Sequence, residues 1–201
     1  MNRMDWMKLK SGSDVRGTAV GEGTVLTDEV ACALGAAFAL WLSRRKCKPA
    51  ESVCVAVGRD SRVSGPDLLK AFSEGVCSAG ASVMEFGLCT TPAMFMSTIT
   101  EGYRPDGAVM VTASHHPWNK NGLKFFTDQG GLEGNDISVL LKEAASLHPD
   151  RATVRGTAVE KPFLPVYMEQ LAARVREGMG QDSLLPLKGL HVVVDAGNGA
   201  G

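Results

Sequence analysis

Short apolar runs rich in β-branched residues alternate along this chain with longer stretches of helical pattern, and that alternation limits the folds open to it. The runs are Ser52-Val-Cys-Val-Ala-Val57, Ala81 to Phe86, Gly107-Ala-Val-Met-Val-Thr-Ala113, Gly122-Leu-Lys-Phe-Phe-Thr127 and Leu190-His-Val-Val-Val-Asp195. Each is short, apolar and bounded by glycine or turn residues, as a buried strand requires. Between them lie helical patterns over Thr27 to Lys46, Ser64 to about Ala79, Pro92 to about Glu101, Asn135 to Leu147 and Pro162 to about Glu177. Thr27 and Asp28 offer caps to the first, and Arg44, Arg45 and Lys46 sit where the helix dipole favours positive charge. Gly65-Pro66 opens the second and Gly80 stops it. Strands alternating with helices predict an α/β fold, with a mostly parallel sheet covered on both faces.

Composition removes several classes of function. The chain has 201 residues, 44% hydrophobic and 21% charged, close to the averages for a globular protein, which argues against disorder, collagen and coiled coil. Lys plus Arg number 21 and Asp plus Glu 22, a net charge of -1. That balance gives no bulk electrostatic drive toward nucleic acid or an anionic membrane. No apolar run approaches the roughly 20 residues that span a bilayer. Met1 to Lys10 lacks the apolar core of a secretory signal. The 5 cysteines (Cys32, Cys47, Cys54, Cys77 and Cys89) form no C-x-x-C pair and lie in apolar segments. They read as buried, reduced thiols in a cytoplasmic protein.

His148, Pro149, Asp150 and Arg151 interrupt the apolar pattern, so the expected organisation is a domain over 1–150, a linker and helix over 151–186, and a strand with a Gly-rich turn over 187–201. A closing strand needs partners, and such a turn ordinarily leads into a helix. The expectation is therefore that the chain is part of something longer.

Ligands of open α/β sheets bind beyond the carboxyl ends of the strands. Ser114-His-His-Pro-Trp-Asn-Lys-Asn-Gly122 follows the third run and is the richest such segment. Pro117 forces a turn, and Asn121-Gly122 reads as the turn pair leading back, which brings Lys124 near the strand end that carries Ser114. A hydroxyl, two imidazoles and an ammonium are thus grouped. A serine there can act as a nucleophile when a base takes its proton and cations support developing charge. Arg16 sits in Gly12-Ser-Asp-Val-Arg-Gly17, read as a polar turn where an arginine can meet a phosphate. Arg59 and Arg62 are similar, and Asp60 can pair with one of them and order its loop. His191 reads as structural, and Trp118 as either a loop anchor or a sugar-site wall. No Gly-x-Ser-x-Gly elbow, P-loop, G-x-G-x-x-G or Asp-x-Asp cluster occurs.

These residues resemble a known family. Thr112-Ala-Ser-His-His-Pro117 is similar to the active-serine signature of the α-D-phosphohexomutases, among them phosphomannomutase/phosphoglucomutase and phosphoglucosamine mutase. Ser13-Asp-Val-Arg-Gly17, Val57-Gly-Arg-Asp-Ser-Arg62, Asn121-Gly-Leu-Lys124 and Val192-Val-Val-Asp-Ala-Gly-Asn-Gly-Ala-Gly201 resemble further family segments, in order. The resemblance implies a three-layer α/β/α sandwich with a mixed, mostly parallel sheet, in which Gly122 to Thr127 is the antiparallel member, followed by the start of a second similar domain. It implies an isomerase that interconverts hexose 1- and 6-phosphates through a phosphoserine at Ser114 and a bisphosphate intermediate.

By the same resemblance Arg16 holds phosphoryl oxygens, and His115 and Lys124 transfer protons or support charge. Arg59, Asn121 and His116 bind substrate or phosphate. Mg2+ bridges the Ser114 phosphate to ligands beyond residue 201, and glucose 1,6-bisphosphate is the activator. The expected partner is a hexose phosphate, with no nucleic acid and no membrane. His116 departs from the family, which often has Asn there. The start of the chain favours a mannose or glucose phosphate, with phosphoglucosamine mutase as the alternative. A non-catalytic sugar-phosphate binding module and a serine hydrolase are the readings from other classes.

Overall fold

The apolar runs become the middle of one sheet. A computed structural model describes residues 5–149, 156–179, 185–197 and 199. The strands are β1 (Lys10–Ser11), β2 (Asp14–Thr18), β3 (Cys54–Arg59), β4 (Ser82–Leu88), β5 (Gly107–Val111), β6 (Lys120–Thr127), β7 (Gly130–Gly131) and β8 (Ala158–Glu160). Their order is β1-β2-β6-β5-β3-β4-β8, with β7 added to β6. β3 pairs parallel with β4 and β5, and β4 pairs parallel with β8. β6 is antiparallel to both β5 and β2. The mixed, mostly parallel sheet expected from the sequence is the one observed.

Residues paired across neighbouring strands share a face. On one face Val15, Leu123, Phe125, Val109, Val55 and Val83 join the larger core, with side chains from α1 (Asp28–Arg45), α2 (Gly65–Ser78) and α4 (Gly134–Ala144). On the other, Ala56, Ala108 and Met110 meet Met94 of α3 (Thr91–Ile99), and Phe163 just before α5 (Leu164–Gly178). Helices therefore lie on both sides of the sheet, as three layers.

The expected caps and charges of α1 are present. Thr27 Oγ1 accepts from Val30 N at 3.4 Å, and Arg44 and Arg45 lie in the last turn. The helix is not amphipathic, however. Every residue from Val30 to Ala39 is buried, because sheet, α2 and α4 enclose it. Two glycines set the distance between α1 and α2. A Cβ on Gly35 would strike the carbonyl of Phe72, and one on Gly75 the carbonyl of Cys32.

Several expectations meet a different structure. The Gly12–Gly17 segment is not simply a turn: Asp14–Thr18 is strand β2, with Arg16 in its middle. Asn121-Gly122 lies inside β6, and the return is made earlier, over residues 114–119. Residues 190–195 form no strand, and Val193 and Val194 are 84% and 83% exposed. An apolar β-branched run has strand propensity, but a strand also needs a neighbour to pair with, and the described residues offer it none. The Gly-rich turn beyond it falls partly on 198, 200 and 201, outside the described residues, as do 150–155 at the expected domain boundary. Past that boundary, in the segment read as a linker, β8 pairs with β4 and Phe163 is buried in the smaller core. Cys32, Cys77 and Cys89 are buried as expected, but Cys47 is exposed and Cys54 half-buried, all five as free thiols.

Candidate active site

The chemistry-bearing residues collect at the margin of the sheet where β5 ends and β6 begins. Asp14 stands opposite Lys124, and Arg16 opposite Gly122. Met110 stands opposite Lys124, and Thr112 N donates to the Gly122 carbonyl at 2.9 Å. The alternation of strand side chains puts Asp14, Arg16, Gly122, Lys124 and Thr112 on the same face, the one that carries α3.

Within that group Asp14 Oδ2 accepts from both Arg16 Nη2 at 2.8 Å and Lys124 Nζ at 2.5 Å. One carboxylate thus holds two cations in place. Asp14 is 8% exposed, which makes these charge-assisted bonds stronger than surface pairs. Arg16 Nε is buried and has no hydrogen-bond partner in the structure. A buried donor left unmatched costs about 1–3 kcal/mol, a cost that an acceptor brought to the site would remove. Gly122 makes room for Arg16, since a Cβ there would lie 2.9 Å from Arg16 Cγ.

Ser114 follows directly. It is exposed, with φ of 58°, a left-handed conformation uncommon for a residue with a side chain. Its N–H donates to Thr112 Oγ1 at 2.9 Å. Its carbonyl accepts from Arg62 Nη2 at 2.6 Å. His115 is exposed, His116 half-buried, and their rings stack with centroids 5.0 Å apart. The half-buried position of His116, then the charges of Arg16, His115, Lys120 and Arg62, push its imidazole below the usual 6.5. The shift favours the neutral imidazole, which offers one ring N–H, the kind of donor an asparagine amide would supply.

The expected site residues divide on this geometry. Arg16 and Lys124 share Asp14, while Ser114, His115 and His116 lie in the loop after β5, with Arg16 near enough to His116 to act on its charge. Asn121 does not present itself to a ligand: it is fully buried, its Nδ2 donates to Ser64 Oγ at 2.9 Å and its Oδ1 accepts from Gly122 N. It is a fastener between β6 and the start of α2, not a binding group. Arg59 donates to the Asp60 carbonyl at 3.1 Å and lines a depression with Lys70, Glu85 and Glu160, so no observed bond ties it to the Ser114 loop. Arg62, grouped with Arg59 on sequence and given no role, is the arginine that holds the loop. The Asp60 pairing expected there is present, with Arg62 Nε donating to Oδ2 at 3.3 Å. Val-Gly-Arg-Asp-Ser-Arg, charged residues packed just after a strand, was the available signal.

Among the described residues no three His, Cys, Asp or Glu side chains are grouped to hold a metal ion. Asp14 and Asp60 are both engaged by cations. The described residues thus do not by themselves fit a Mg2+ site. Among the same residues no helix is long and apolar enough to cross a membrane.

Comparison with known proteins agrees with this architecture. Residues 7–145 match the family model for phosphoglucomutase/phosphomannomutase, alpha/beta/alpha domain I. The chain is 38% identical over 190 residues to a phosphoglucosamine mutase of Symbiobacterium thermophilum, covering 94% of this chain and 40% of the relative. It is 30% identical over 190 residues to a phosphoglucomutase of Neisseria gonorrhoeae, covering 94% of this chain and 37% of that one. A crystal structure of a phosphoglucomutase/phosphomannomutase family protein from Burkholderia thailandensis superposes with a TM-score of 0.69 at 26% identity, covering 83% of this chain and 36% of that one. The chain thus spans about 40% of the length of the curated relatives it matches. An α/β/α sheet of this order, carrying this loop and this match over 7–145, belongs to the phosphoglucomutase/phosphomannomutase family.

Proposed function

We propose that this chain carries the phosphoryl-accepting serine of a phosphohexomutase, with Ser114 as the residue that is phosphorylated. The observation that carries the reading is the exposed Ser114 hydroxyl, on a residue whose backbone N–H and carbonyl are both already bound, beside the Arg16–Asp14–Lys124 group. Phosphoryl transfer asks little covalent chemistry of a protein beyond alignment and charge neutralisation. In the forward step a sugar hydroxyl attacks phosphorus on phosphorylated Ser114. The bond from phosphorus to the sugar oxygen forms as the bond to Ser114 Oγ breaks. His115 takes the sugar proton, and Lys124 gives the proton that the serine oxygen gains as it leaves. Arg16, with its uncommitted Nε, bears on the phosphoryl oxygens, and Lys124 adds positive charge behind it. His116 donates a ring N–H hydrogen bond to the phosphoryl group.

The sugar is a glucose or mannose phosphate by the sequence reading. Glucosamine phosphate is the second reading, favoured by the 38% identity to a phosphoglucosamine mutase. Incubation with glucose 1,6-bisphosphate, followed by intact mass and peptide mapping, tests the central step. The expected result is a gain of one phosphoryl group at Ser114, absent in Ser114→Ala. Phosphorylation elsewhere, or labelling that survives in Ser114→Ala, would overturn the assignment. Parallel incubations with glucosamine 1,6-bisphosphate separate the two sugar readings by rate.

A further inference from the structure

Both backbone polar atoms of Ser114 belong to one closed ring of hydrogen bonds. Ser114 N donates to Thr112 Oγ1 at 2.9 Å, and the Thr112 hydroxyl donates to Asp60 Oδ2 at 2.6 Å. The same carboxylate oxygen accepts from Arg62 Nε at 3.3 Å, and Arg62 Nη2 donates to the Ser114 carbonyl at 2.6 Å. The rest of the guanidinium is also committed. Nη2 donates to the His116 carbonyl at 2.7 Å, and Nη1 to the Pro117 and Lys120 carbonyls at 2.8 and 2.9 Å. All five donors of Arg62 are therefore used, four of them on carbonyls of residues 114–120. Asp60 is fixed in turn: its Oδ1 accepts from Arg62 N at 3.0 Å, and its own N–H donates to the Val111 carbonyl at 3.1 Å.

We infer that Asp60, Arg62 and Thr112 are positioning residues that hold Ser114 in its left-handed conformation, so that its hydroxyl is aimed outward for phosphoryl transfer. The inference rests on the phosphoserine reading above and adds to it the device that sets the nucleophile. A non-glycine residue in the left-handed region is strained and persists only where its surroundings fix it. The ring supplies that fixing at both ends of the residue. Its charge is balanced internally, Asp60 against Arg62, so it acts through geometry and not as a phosphate site. Lysine cannot replace Arg62, since an ammonium has three donors and no planar fork.

Two measurements test this on the full chain. The first is the rate of Ser114 phosphorylation by glucose 1,6-bisphosphate, with Thr112→Val, Thr112→Ser and Arg62→Lys compared to the parent. Thr112→Val and Arg62→Lys should lower the saturating rate about 100-fold, the scale expected of a small misplacement of reacting atoms. The half-saturating bisphosphate concentration should stay unchanged, and Thr112→Ser, which keeps the hydroxyl, should retain the parental rate. Parental rates in Thr112→Val and Arg62→Lys would overturn the inference, as would equal losses in Thr112→Ser and Thr112→Val. The second is amide hydrogen exchange at Ser114, read without any sugar phosphate. Exchange should be at least about tenfold faster in Thr112→Val and Arg62→Lys, with thermal melting still cooperative; unchanged exchange would overturn the ring's role. If the parent itself is never phosphorylated, the functional reading fails, and the exchange data still decide whether the ring holds Ser114.

Discussion

Arg16 on β2 stands opposite Gly122 on β6, and the arginine stem runs through the space that a side chain at position 122 would fill. A Cβ at Gly122 would lie 2.5 Å from the Val15 carbonyl and 2.9 Å from both Arg16 Cγ and the Thr112 carbonyl. Two of these neighbours are backbone and cannot swing aside. Gly122→Ala should therefore lose about 1–3 kcal/mol of stability, the usual cost of overpacking, and should displace Arg16. Urea denaturation checks the first effect. A slower Ser114 phosphorylation in the folded variant checks the second.

Asp14 is the shared acceptor of Arg16 and Lys124. Asp14→Asn keeps the shape but removes the charge, leaving two cations facing each other on a partly buried surface. The expected loss is about 2 kcal/mol, below the roughly 3–5 kcal/mol of a fully buried pair, because the Lys124 and Asp14 side chains keep 22% and 11% of their exposure. Chemical denaturation of Asp14→Asn at low and high salt measures it. Added salt should narrow the gap to the parent, since screening weakens repulsion between the orphaned cations.

The helices on the larger core meet at Gly35 and Gly75, each against a backbone carbonyl of the opposite helix. Gly75→Ala should destabilise by at least about 2 kcal/mol despite alanine's better helix propensity, because the clash has no flexible partner to yield. An unchanged or raised melting temperature in Gly75→Ala would show that α1 and α2 separate easily.

His116 titrates below its ordinary value, so the folded chain binds its proton less readily than the unfolded chain. Stability tied to the neutral imidazole is complete above pH 6.5 and is lost as pH falls from there through the lower folded value. His116→Asn, which has no such proton to bind, should show a shallower loss of stability over that acidic window. Arg16→Ala should raise the His116 midpoint toward 6.5, because it removes one of the charges that lower it. Denaturation at a series of pH values reads the first, and NMR titration of the histidine ring resonances the second.

Thiol reagents should separate the cysteines. Cys47 is exposed and should react first. Burial pushes Cys89 up to about 11 and raises Cys54 and Cys77, so few thiolates form there near neutral pH. One fast equivalent, mapped to Cys47 by mass spectrometry, is the expected result. Fast labelling of Cys89 would contradict the burial.

Much of this was legible in the chain itself. Cys54–Arg59 and Gly107–Val111 are strands because their middles are buried, and their apolar runs say so directly. β2 escaped notice because Asp-Val-Arg-Gly-Thr carries little hydrocarbon, and only pairing with β6 makes it a strand. β8 is three exposed residues, held by its ladder to β4. The run at 190–195 has strand propensity, but among the described residues it has no neighbour to pair with. At the site, the Ser-His-His loop stood out through its reactive groups. Asn121 reads as a turn because Asn-Gly is a turn pair, and as a binding group by resemblance, whereas its amide is spent on Ser64 and Gly122. Arg62 was hard to see because its work is done on backbone carbonyls, which leave no pattern in side-chain identity.

In β6 the alternate residues Leu123 and Phe125 point into the larger core, while Gly122 and Lys124 lie on the other face. Slipping this strand by one position would drive the Lys124 ammonium into the hydrocarbon of the larger core. The oily side of the ribbon thereby proofreads the charged side: any misthreaded copy that misplaced Lys124 would also fail to fold.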